Sequence, residues 1–127
     1  MVKRKIIDEP EKRTGTCLQD CFWWLMRNQE KSRYQIIHAI VERKSDGLRH
    51  PHSVIYDKKI KEIINIKPFG YINFMLWITF FNVSKLKIYD FDEINSLVLK
   101  YGGITFFKHP DYNCYRTSKP QQDIINS

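Results

Sequence analysis

A thiol, an imidazole and a carboxamide occur in an order that could make a nucleophile, its base and an orienting group: Cys17, His52 and Asn65. In such a set the imidazole takes the thiol proton, and the carboxamide oxygen accepts the second ring N–H, fixing tautomer and direction. Cys17 stands in Thr14-Gly15-Thr16-Cys17-Leu18-Gln19-Asp20-Cys21, where the chain breaks at glycine and enters a helix capped by Thr14 or Thr16. The unpaired N–H groups and positive dipole end of a helix start favour thiolate and lower a thiol's pKa. The main-chain N–H of Cys17 could also donate to an oxyanion. The plainer reading makes Cys17 and Cys21 small core residues one turn apart, since free cysteines are commonly buried.

A rival constellation uses overlapping residues. Cys17 and Cys21 lie at i, i+4 on one helix face, and His50 and His52 share one strand face. Together they make a Cys2His2 set of the kind that holds zinc tetrahedrally. The His-x-His spacing is unusual for that set, and the expectation is that the chain needs no metal and no organic cofactor.

These residues need elements to hold them. Residues 1–13 are charged, contain Pro10 and lack an apolar period, as an N-terminal arm would. Over 16–28, Cys17, Leu18, Cys21, Phe22, Trp24 and Leu25 recur at helical intervals. The β-branched segment 34–42 predicts a strand; His38 lies inside it, and a core histidine with its hydrogen bonds satisfied is expected there. After a turn at Asp46-Gly47, residues 50–56 and 61–66 read as a β-hairpin. A four-residue loop over 57–60, or a two-residue loop at Lys58-Lys59, puts His52 directly opposite Asn65, with Cβ atoms about 4.5 to 5.5 Å apart on one face. A three-residue loop would slip the register by one and turn Asn65 away.

Beyond the hairpin, residues 71–81 form an apolar run that fits either a buried strand or a buried helix. It is shorter than the roughly 20 residues a spanning helix needs. Residues 85–89 predict a short strand. Asp90 and Glu93 have capping-box spacing for a helix reaching Lys100 and stopped by Gly102-Gly103, and 104–107 predict a last strand. The polar tail 109–127 holds Pro110, Pro120 and an incidental Cys114.

The chain has 127 residues, a length that suits one domain with a real core. The division expected is an arm over 1–13, a single α+β domain over 14–108 and an extension over 109–127. Three cysteines cannot all pair with one another, and Met1-Val2-Lys3-Arg4-Lys5 is followed by no apolar signal region. A reducing, cytoplasmic setting with free thiols is therefore expected. The net charge of +7 arises from 21 Lys and Arg against 14 Asp and Glu. Such a charge could attract acidic partners, but the basic residues are scattered, unlike the clustered face of nucleic-acid binders.

At the level of motifs, the chain resembles the small papain-like cysteine hydrolases and transglutaminase-like proteins over 15–65. Gly15-Thr16-Cys17 is similar to the Gly-x-Cys that opens their nucleophile helix. The stretch 35–41 with His38 resembles their first strand, and His52-Ser53-Val54-Ile55-Tyr56 resembles the strand His-Ala-Trp-Val-Glu. Ile63-Ile64-Asn65 resembles the hairpin end Val-Ile-Asp, with Asn for Asp. The resemblance implies an N-terminal helix carrying the nucleophile, packed on an antiparallel sheet. It further implies hydrolysis, deamidation or acyl transfer at an amide or peptide bond of a peptide or protein substrate, with Cys17 as nucleophile, His52 as base and Asn65 as orienter. Departures are Leu18 and Asp20 where an aromatic residue and Asn are common. No glutamine precedes Cys17 to supply a side-chain oxyanion donor. The alternative function, from another class, is a non-catalytic binding protein, with nucleic acid as one partner for its basic surface.

Overall fold

The computed structural model describes residues 17–42, 47–66, 69–103 and 119–120. The expected arm at 1–13, the strand at 104–107 and Cys114 lie outside the described residues. Within them the apolar helical period yields α1 (Cys17–Met26), and the β-branched segment yields β1 (Tyr34–Glu42). The hairpin follows as β2 (Arg49–Asp57) and β3 (Glu62–Asn65). Then come β4 (Gly70–Asn73), α2 (Phe74–Phe80), β5 (Lys85–Tyr89), α3 (Phe91–Tyr101) and β6 (Lys119–Pro120). Every described strand pair is antiparallel, in the order β4-β3-β2-β1-β5-β6. The chain is thus α+β, with β1 and β2 in the middle of the sheet. Lys119 and Pro120, in the expected extension, pair with Leu86 and Lys85 along β5.

The ambiguous run 71–81 divides at Asn73. Its first residues pair with β3, and the Asn73 side chain then accepts from the Met75 and Leu76 N–H groups. Two of the orphan donors of a helix start are satisfied, so the chain turns helical there. At α3 the capping box does not form: Asp90 makes no side-chain cap bond, and its carboxylate accepts from Gln35 Nε2 at 2.8 Å instead. Glu93 meets Lys87 at 3.6 Å. The stop at Gly102 is as expected, with a left-handed φ of 79° that favours glycine.

The central ladder runs without a bulge from Tyr34 opposite Asp57 to Glu42 opposite Arg49. Side chains therefore alternate strictly between two faces. One face carries Ile37, Ala39, Val41, Val54 and Ile63, packed with Trp77, Ile78 and Phe81 in and after α2. The other carries Ile36, Ile55, Ile64 and Tyr89, packed with Leu18, Cys21, Phe22 and Leu25 of α1 and Ile94 of α3. Burying each such aliphatic side chain contributes about 1.5 to 3 kcal/mol, so both helical layers are held mainly by these contacts. Among the described residues no helix is long and apolar enough to cross a membrane.

Candidate active site

The hairpin turn occupies 58–61 and is four residues long, one position later than expected. Asp57 stays in the ladder opposite Glu62, and Ile55 pairs with Ile64. Extending this register sets Asn65 level with Val54, not directly opposite His52. The even loop length keeps both on one face as diagonal neighbours, about 7 to 8 Å apart at the backbone and within reach of long side chains. They do meet: His52 Nε2 lies 2.7 Å from Asn65 Oδ1. A carboxamide oxygen only accepts, so Nε2–H donates to it, which leaves Nδ1 as the acceptor in the neutral ring. Both residues are buried. His50 lies beside them, its ring centroid 6.3 Å from that of His52.

The late turn has a cause outside the hairpin. Arg33 grips the Asp57 carboxylate through Nε at 2.9 Å and a terminal guanidinium nitrogen at 2.7 Å, and the Lys59 N–H donates to the same carboxylate at 3.1 Å. Burial raises the Asp57 pKa, but the Arg33 hydrogen bonds and charge outweigh it and hold the carboxyl below its ordinary value. Lys61 closes the turn with a left-handed φ of 55°.

Cys17 is the first described residue of α1, and its side chain lies outside the described residues. Leu18 and Cys21 bury into the cluster that contains Ile36 and Ile55. The helix headed by Cys17 therefore covers one face of the sheet, while His52 and Asn65 project with Val54 from the other. The same division separates the rival zinc ligands. Cys21 is fully buried under α1, whereas His50 and His52 project towards the α2 side, so these three cannot hold one ion. Among the described residues, no group of three His, Cys, Asp or Glu side chains is arranged to bind a metal.

His38, expected to be a core residue, is indeed buried, but it belongs to the α1 face, one row along from Ile36. It stands opposite Ser53 in the ladder. Burial, with a smaller contribution from the charge of His52, pushes the His38 pKa down to about 4. The parity of β1 was the sequence signal that could have found it, since His38 shares the period-two phase of Ile36.

No protein-family model, no curated protein and no solved structure matches the chain.

Proposed function

We propose that this chain carries out thiol-dependent acyl chemistry on an amide or peptide bond, with Cys17 as the nucleophile and a histidine of the central strands as its base. The observation that carries the reading is a helix containing Cys17 laid over the sheet face on which β1 bears the buried His38, while His52, held by Asn65 at 2.7 Å, lies on the opposite face of the same central strands. The helix start favours the thiolate. The thiol sulfur attacks the carbonyl carbon as its proton passes to the imidazole, and the imidazolium returns that proton to the departing amine. Water or a second amine then takes the acyl group from sulfur, giving hydrolysis or transfer. Sequence pattern nominates His52 as the base and Asn65 as its orienter.

The test is site-resolved alkylation of the full chain by iodoacetamide at neutral pH. Cys17 should react well before Cys21 and Cys114, and doubly replacing His38 and His52 by Gln should remove its advantage. Equal, slow reaction at all three cysteines would exclude the catalytic reading and leave a binding role.

A further inference from the structure

The division of the sheet into two faces bears on which imidazole serves Cys17. On the α1 face, the row formed by Ile36, Ile55 and Ile64 is apolar and packs with Leu18, Cys21, Phe22 and Leu25. The next row, His38 opposite Ser53, is polar and equally buried, at 4% and 2% exposure. Ser53 Oγ has no hydrogen-bond partner among the described residues. A buried hydroxyl left so is costly and calls for a polar neighbour. Trp24, near the end of α1, meets Tyr34 edge-on at 5.0 Å, so that end of the helix lies by the start of β1. The polar row thus lies on the side of the sheet that α1 covers.

We infer that His38, and not His52, is the general base for Cys17. The inference rests on the reading of Cys17 as a nucleophile. In the resting state the pair is a thiol and a neutral imidazole. As sulfur bonds to the carbonyl carbon, the S–H bond breaks and its proton moves to a ring nitrogen of His38. When the C–N bond of the amide breaks, that proton leaves on the amine. The His52–Asn65 pair is then a buried cross-strand link of the α2 face.

Single variants His38→Gln and His52→Gln of the full chain, alkylated by iodoacetamide, separate the possibilities. His38→Gln should slow modification of Cys17 by about a hundredfold, the low end of general-base effects, and leave Cys21 and Cys114 unchanged. His52→Gln should leave the Cys17 rate within about twofold, far below such effects. Slowing by His52→Gln alone would overturn the assignment while sparing the nucleophile. Absence of any Cys17 advantage in the unaltered chain would instead remove the reading beneath it. If His38→Gln does not fold, the imidazole NMR resonances decide: Cys17→Ser should shift those of His38 and not His52, and the reverse would overturn the assignment.

Discussion

Acid should destabilise this fold through His38, and the size of the effect follows from its burial. The ring is 4% exposed, and its pKa falls from 6.5 to about 4 on folding. Between these values the unfolded chain binds a proton that the folded chain refuses, so lowering the pH favours unfolding. The contribution is whole above about pH 6.5, is lost as the pH falls towards 4, and does not change further below that. At about 1.4 kcal/mol per pH unit, the interval amounts to about 3 kcal/mol, a large share of the 5 to 15 typical of a domain. Urea unfolding from pH 7 to 4 would measure it, in a Cys17→Ala background so that no thiol shares the titration. Comparison with the same chain carrying His38→Asn removes the other titrating groups, including Lys87, which pairs with β1 opposite His38 and reaches Glu93. The difference in unfolding free energy should change steadily across this interval. A difference that stays flat, or a His38 pKa at or above 6.5 by NMR, would refute the argument from burial.

Three further outcomes follow from the packing and the caps. Arg33→Met should lower the urea midpoint of unfolding, because it strands a buried Asp57 carboxylate that now accepts two guanidinium bonds. Asn73→Ala should cost about 1 kcal/mol by removing the side-chain acceptor at the head of α2, read in the same assay. Ile55→Ala, in the fully buried row beneath α1, should cost about 2 to 5 kcal/mol, whereas Leu99→Ala, 77% exposed, should stay within about 0.5.

Much of the framework could be read from residue order. β1 spans the β-branched segment, β5 falls where expected, and Gly102 ends α3, because each is dictated by local pattern or by a backbone conformation that few residues adopt. The 71–81 run was not legible by period, since its apolar residues are too continuous to mark one face, and Met75, Leu76 and Phe80 are in fact exposed; Asn73 was the available sign. The hairpin register depended on Arg33, 24 residues away from Asp57, whose grip keeps the ladder going one residue longer. No short-range rule contains that contact. Asp90 offered a cap, but Gln35 competes for its carboxylate from across the fold. At the candidate site, the His52–Asn65 contact was legible from loop parity alone. The side of the sheet chosen by α1 was not, because an amphipathic helix states which of its own faces is buried and not which surface buries it.

The turn at 58–61 also sets a rule for how this chain can change length. One residue gained or lost there would exchange Asn65 for a neighbouring residue beneath His52 and turn the apolar side chains of β3 to the wrong layers. Two residues would restore the phase. Natural or engineered insertions in this hairpin should therefore be accepted in pairs, so that a library varying the turn by single residues would show folded members alternating with unfolded ones.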